Sequence, residues 1–163
     1  MKLNRRMQGY LEELRSRNVD AAPMVPGRWP DLSMQQIGDV VLLDSFCKKP
    51  CLRPSDFGAA SALECCANKV LVERMLDPYL VYVCPLLLLT GGLFIAEQVS
   101  RRLVGLPGRF NVIVSYDGES CAVRFHKIRE GESWLCEDLE SYVDEGILVV
   151  EAGADPVLRL TGN

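Results

Sequence analysis

Two stretches of strict alternation around an Asp-Gly turn constrain the fold of this 163-residue chain more than any other feature. In 110–116, Phe, Val, Val and Tyr alternate with Asn, Ile and Ser, and in 121–126, Cys, Val and Phe alternate with Ala, Arg and His. A period of two places every second side chain on the same face of a strand. Because Asp117-Gly118 is typical of a tight turn, the pattern predicts an antiparallel β-hairpin.

Helical periodicity dominates the residues before this hairpin. Apolar side chains recur there at intervals of three and four, as on the buried face of an amphipathic helix. The predicted helices cover 3–17, a segment from an N-cap at Ser55 or Asp56 to about Leu76, and about 93–104. The apolar run at 34–46 fits either a helix or a strand, so its type stays open.

Strands are expected mainly after the helices. A short apolar strand is predicted at 147–150, where it would extend the hairpin into a small antiparallel sheet. The length suits one domain with a sizeable core. The predicted fold class is therefore α+β, a single domain with an N-terminal helical part over about 1–105 and a β-rich acidic part over about 109–155.

Residues 79–96 contain no charged side chain, and eighteen such residues are the lower limit for a membrane-spanning helix. Pro85 would kink or end such a helix, and Gly91-Gly92 would interrupt it again. We therefore expect two or three buried elements joined by breaks. A membrane-associated protein built on this segment stays as an alternative.

The cysteines and the N-terminus indicate a cytoplasmic protein. Seven unevenly spaced cysteines do not make the disulfide framework of a small secreted domain. The first fourteen residues lack the apolar stretch of a signal peptide. Cys47 and Cys51 have no second ligand pair at a usable spacing, so we expect no metal and no cofactor.

Charge is divided unevenly along the chain. Residues 117–163 contain eleven acidic and four basic side chains, a net charge of −7, whereas the whole chain carries −4. Seven of these acids lie in 130–145, which contains no Lys or Arg. An acidic balance argues against direct nucleic-acid binding and favours attraction of a basic partner.

The run at 130–145 is the candidate partner-binding site. Trp134 and Tyr142 are interleaved with its acids, and aromatic residues are frequent anchors of protein interfaces. Burial of Trp134 against the hairpin, or a simply solvated acidic run, would explain the pattern as well. The candidate partner-binding residues are Glu130, Glu132, Trp134, Glu137, Asp138, Glu140, Tyr142, Asp144 and Glu145.

Catalytic motifs are absent from the sequence, so we expect no catalytic residues. A cysteine nucleophile needs a nearby base or a helix N-terminus to form its thiolate. Cys65 and Cys66 are predicted in the middle of a helix. Cys121 and the chain's one histidine, His126, are an odd number of residues apart and should point to opposite faces of a strand. A small Cys- or carboxylate-dependent enzyme, or its accessory subunit, stays as the alternative.

Three stretches carry a family resemblance: residues 116–127, the GESWL motif at 131–135 and EDLESY at 137–142. Together they resemble the C-terminal region of small bacterial immunity proteins of polymorphic toxins, including those of contact-dependent growth inhibition systems. The likeness covers about 110–151. It implies a non-enzymatic cytoplasmic protein that neutralises the C-terminal domain of a cognate toxin by covering its active or substrate-binding site. The acidic run suggests that this domain is basic, as nucleases are.

Overall fold

The structure, a computed structural model, describes residues 1–19, 25–47 and 56–154. It has the predicted α+β class. The α-helices of these ranges are α1 Arg5–Ser16, α2 Asp44–Cys47, α3 Ala60–Ala67, α4 Pro78–Val83 and α5 Leu86–Leu103. The strands are β1 Lys2–Leu3, β2 Met34–Ile37, β3 Val40–Leu43, β4 Val70–Leu71, β5 Phe110–Tyr116, β6 Cys121–Lys127 and β7 Gly146–Glu151. Short 3-10 helices occupy Val72–Arg74 and Leu139–Ser141.

The predicted hairpin forms the centre of an antiparallel five-stranded sheet. Strands β5 and β6 pair from Phe110 opposite Lys127 to Tyr116 opposite Cys121, and β7 pairs with the other edge of β5. The Asp117 carboxylate accepts hydrogen bonds from the backbone N–H of Glu119 and Ser120, which closes the turn. The sheet order is β1-β7-β5-β6-β4.

Most of the sheet lies in the C-terminal part, as predicted, but the sheet also extends beyond that part. Strand β1 pairs with β7, and β4 pairs with β6, so both edge strands come from the predicted helical part. Each has two residues, which is too short for alternation to be recognised. The segment at 34–46, left open by the sequence, forms a second hairpin of β2 and β3 around Gly38, whose φ of +63° suits glycine.

Helix α3 is shorter than predicted, ending at Ala67 instead of near Leu76. The following residue, Asn68, is fully buried and bonds to two neighbouring strands. Its side chain accepts a hydrogen bond from Leu43 N–H and donates to the carbonyls of Val41 and Phe125. These bonds hold the chain beside β6, where β4 begins. The pairing of β4 with β6 therefore takes precedence over the helical periodicity of the sequence after Ala67.

The predicted N-cap of α3 is also wrong. The N-cap is Ala59, which has no side chain to accept a hydrogen bond from the first turn. Asp56 lies before that position, and Ser55 lies outside the described residues. The first turn of α3 therefore needs a partner from elsewhere in the molecule.

Residues 79–96 form two helices with a break at Pro85, as predicted, but Gly91-Gly92 does not interrupt α5. A Cβ at Gly92 would collide with Cys121 Sγ of β6, so glycine permits close packing of α5 on the sheet. Helix α4 is not buried, since Tyr79, Tyr82 and Val83 are exposed. Among the described helices, none has the length and apolarity needed to cross a bilayer.

The main core lies between one face of the sheet, here called the inner face, and helices α1 and α5. Val112, Val114 and Phe125 of the inner face pack with Leu11 of α1 and Leu93 of α5. The opposite, outer face carries Ile113, Arg124 and His126 in its centre. The acidic run covers part of this outer face.

Candidate partner-binding site

The acidic segment, residues 130–145, lies across the outer face of the sheet instead of extending into solvent. Half-buried Trp134 and Tyr142 pack against Ile113 and Ile147 of the sheet and against buried Cys65 of α3. This contact agrees with the alternative in which Trp134 is buried against the hairpin. The two aromatic rings therefore hold the acidic segment against the sheet and do not project from the surface as interface anchors.

Asn4, which no sequence pattern pointed to, anchors the C-terminal part of the acidic segment. Its side-chain amide donates to the carbonyl oxygens of Leu139, Tyr142 and Glu145 at 2.8 to 3.3 Å. Its side-chain oxygen accepts from Met7 N–H in the first turn of α1 and from Ile147 N–H in β7. One buried amide thus joins a helix N-terminus, a strand and the acidic segment.

Several of the predicted partner-binding acids are hydrogen-bonded at helix N-termini. Glu132 accepts from Ser61 N–H at 2.9 Å and supplies the missing cap of α3, and this bond lowers the pKa of its carboxyl group. Glu140 accepts from Arg5 N–H in the first turn of α1, and Asp138 caps the short 3-10 helix that follows it. Helix N-termini are partly positive, so they offset part of the negative charge of these acids.

The acids that remain available at the surface are fewer than the sequence indicated. Glu130, Glu137 and Asp144 are exposed, and no ion pair of the described residues includes them. Val143, between Tyr142 and Asp144, is 70% exposed and is a surface apolar residue that no periodicity pointed to. We refer to these four exposed positions of the acidic segment as the acidic ridge.

Two adjoining cavities lie between the acidic segment and the outer face. The first, of about 250 Å³, is lined by residues that include Asn111, His126, Cys136 and Glu137. The second, of about 200 Å³, is lined by Ile113, Ser115, Arg124, Trp134, Leu135, Tyr142, Glu145 and Ile147. Four of the nine predicted residues, namely Trp134, Glu137, Tyr142 and Glu145, therefore form cavity walls.

An ion-pair network, buried at Glu64 and exposed at Asp39, anchors the start of the acidic segment. Glu64 of α3 is fully buried and accepts hydrogen bonds from the Arg129 guanidinium at 2.7 and 3.1 Å. The same guanidinium pairs with Asp39 in the β2–β3 turn, which Lys127 also contacts. The hydrogen bonds from Lys127 and Arg129 hold the pKa of Asp39 down at about 2. The network ties α3, the second hairpin and the end of β6 together.

The geometry does not support a Cys121–His126 pair. Cys121 packs in the inner-face core, whereas His126 lines the first cavity on the outer face, as strand alternation predicted. His126 Nδ1 lies 2.9 Å from the carbonyl of Lys127 and must donate to it, while Nε2 lies 3.5 Å from the side-chain amide nitrogen of Asn111. Burial raises the pKa of Cys121, and it raises that of Cys65 to about 12. Neither thiol is poised to form a thiolate.

The part of the chain that the structure describes contains no group of His, Cys, Asp and Glu side chains arranged to hold a metal ion. Its distinguishing features are thus an α+β fold, an anchored acidic segment and two small cavities beneath it. Residues 2–159 match the family model described as the Uncharacterized protein PM0498 family, and the chain belongs to that family. No curated protein and no solved structure gave a match.

Proposed function

We propose that this protein is an immunity protein of the cytoplasm. It binds the C-terminal domain of a cognate bacterial toxin, a basic nuclease domain, and neutralises it by covering the active or substrate-binding site. It acts by binding alone, without a cofactor and without contact to nucleic acid or membrane. The resemblance of residues 110–151 to immunity proteins suggests this function, and the acidic ridge supports it.

The observation that carries the proposal is the combination of exposed acids with a fixed backbone. Glu130, Glu137 and Asp144 are exposed, while the segment that bears them is held by Asn4 and by caps at two α-helices. A surface that is already ordered loses little conformational entropy when a partner binds. Exposed charges on such a surface accelerate encounter with an oppositely charged protein. A nuclease cleft, which carries Lys and Arg for phosphate, is such a partner.

The test uses the toxin domain that this proposal expects to be encoded beside the gene for this chain. The double variant Glu137→Lys/Asp144→Lys reverses two ridge acids and leaves the capping acids Glu132 and Glu140 in place. We expect its association with the toxin domain, measured by stopped-flow at low salt, to be about tenfold slower than that of the wild type. We also expect a weaker dependence of the association rate on ionic strength.

The matched control is Glu12→Lys/Glu119→Lys, which changes the net charge equally at exposed positions outside the acidic segment. We expect it to associate nearly as fast as the wild type. Equal rates for both double variants would contradict the ridge as the binding surface. Failure of the wild-type protein to protect cells that express the toxin domain would contradict the immunity function itself.

A further inference from the structure

The second cavity contains a cation whose hydrogen-bonding capacity is largely unused. Arg124 is half-buried, and its guanidinium donates one side-chain hydrogen bond, to Ser115 Oγ at 3.2 Å. No ion pair of the described residues includes Arg124, although a guanidinium has five N–H donors. Arg129, two positions beyond β6, shows the contrast, since it bonds to both Glu64 and Asp39. Arg124 is therefore placed to serve a group that enters the cavity.

The other walls define what that group must be. Trp134 and Tyr142 provide aromatic surface, Ile113 and Ile147 provide aliphatic surface, and Glu145 provides an acceptor. Apolar walls favour a ring or an aliphatic body, while Arg124 and Glu145 favour a polar atom that both accepts and donates. A purely cationic side chain would be repelled by Arg124, and a purely anionic one by Glu145. A neutral hydroxyl on an aromatic ring satisfies both charged residues.

The volume sets the size of the occupant. At about 200 Å³, the cavity lies below the range of about 300 to 1,000 Å³ that holds a drug-sized ligand. It has room for a single aromatic side chain. Pockets of this kind, at the centre of an interface, receive the partner's Tyr or Trp anchors.

We propose that this cavity is a socket for a tyrosine side chain presented by the protein's binding partner. The ring lies against Trp134 and Tyr142, and its hydroxyl accepts from Arg124 and donates to Glu145. This deepens the proposed function and rests on it for the partner's identity. The sequence analysis expected Trp134 and Tyr142 to be anchor residues that enter the partner. In this proposal they are instead walls of the cavity, and the partner supplies the anchor residue.

The experiment requires no toxin, so its failure is distinguishable from failure of the proposed function. N-acetyl-tyrosinamide and N-acetyl-phenylalaninamide, which differ by one hydroxyl, are titrated into the full chain. The readout is the indole N–H signal of Trp134 in proton–nitrogen NMR spectra. The chain's other tryptophan, Trp29, packs against Phe94 of α5, beyond the inner face, and is the internal control.

We expect the tyrosine probe to shift the Trp134 signal saturably, to leave Trp29 unchanged, and to bind about tenfold more tightly than the phenylalanine probe. Arg124→Gln and Glu145→Gln should each weaken the tyrosine probe toward the phenylalanine level. The unchanged Trp29 signal verifies that each variant is folded. Equal binding of the two probes to the wild type, or no saturable shift at Trp134, would overturn the proposal. Tighter binding of N-acetyl-argininamide would overturn it in favour of a cationic occupant.

Discussion

Asn4 makes five hydrogen bonds through one buried side chain. It serves three carbonyls of the acidic segment and two backbone N–H groups, in α1 and β7. Asparagine can do this because its amide offers an acceptor oxygen with two lone pairs and two donor hydrogens, one of which is shared between two of the carbonyls. Its loss would leave several buried backbone groups without partners, which is costly.

The substitution Asn4→Ala should therefore lower the free energy of unfolding by about 2–3 kcal/mol. Urea denaturation followed by circular dichroism measures this change. Gln8→Ala, at an exposed position of the same helix, is the control and should stay within about 0.5 kcal/mol of the wild type. If Asn4→Ala were as stable as the control, the amide would not organise the acidic segment.

Two glycines in helices should respond oppositely to alanine. At Gly92, a Cβ would collide with Cys121 Sγ, so Gly92→Ala should destabilise the protein by about 1–3 kcal/mol. At Gly9 in α1, an added Cβ would meet no atom within 4 Å beyond its chain neighbours and the adjacent backbone of its own helix, so Gly9→Ala should stabilise by about 0.4–1 kcal/mol. Thermal melts of both variants test this pair. Stabilisation by Gly92→Ala would refute the close approach of α5 to β6.

At the scale of elements, helix α3 depends on a cap from a distant segment. Its own N-cap is Ala59, and Glu132 provides the hydrogen bond that the first turn lacks. A carboxylate at this position also interacts favourably with the helix dipole. The local sequence suggested Ser55 or Asp56, because capping rules consider only neighbours along the chain.

The cap makes stability depend on pH. The folded-state pKa of Glu132 lies below its unfolded value of about 4.3, so its contribution is complete above that pH and is lost as the pH falls through the folded pKa. Glu132→Gln should be less stable than the wild type by about 0.5–1 kcal/mol at pH 7, and the difference should shrink as the pH falls from neutral to below the unfolded pKa of about 4.3. Urea titrations across this range measure it. Glu119→Gln, in the exposed hairpin turn, should follow the wild-type curve.

Helix boundaries were predicted least well where packing competes with periodicity. The β5–β6 hairpin was predicted nearly to the residue, because its alternation reflects the different environments of the inner and outer faces of the sheet. The end of α3 at Ala67 was missed because Asn68 bonds to strands distant in the chain. Gly91-Gly92 was interpreted as a break, although glycine here permits the contact between α5 and β6.

At the scale of the whole molecule, the sheet is assembled from both ends of the chain. Residues near the N-terminus form β1, residues 70–71 form β4, and the three longer strands come from the last third. The inner face of those three strands is covered by α1 and α5. A sheet without these covers would expose a continuous apolar face to water.

We therefore expect that residues 106–163, produced alone, do not fold. Their proton–nitrogen NMR spectrum should show the narrow dispersion of an unfolded chain, whereas the full chain should give a dispersed spectrum. Mixing the fragment with residues 1–105 and recovering dispersion would be consistent with one domain, as predicted. A well-dispersed spectrum for the fragment alone would instead indicate two independent domains.

The sequence by itself determined the α+β class, the central hairpin, the break at Pro85 and the concentration of acids in 130–145, because each is a pattern of neighbouring residues. Only the tertiary structure decided which acids cap helices, that Trp134 and Tyr142 form walls, and that Arg124 lies beside them. Those outcomes depend on contacts such as the one between Asn4 and Glu145, which are 141 residues apart. Contacts of that separation leave no local periodicity, since they require only one suitable side chain at each end.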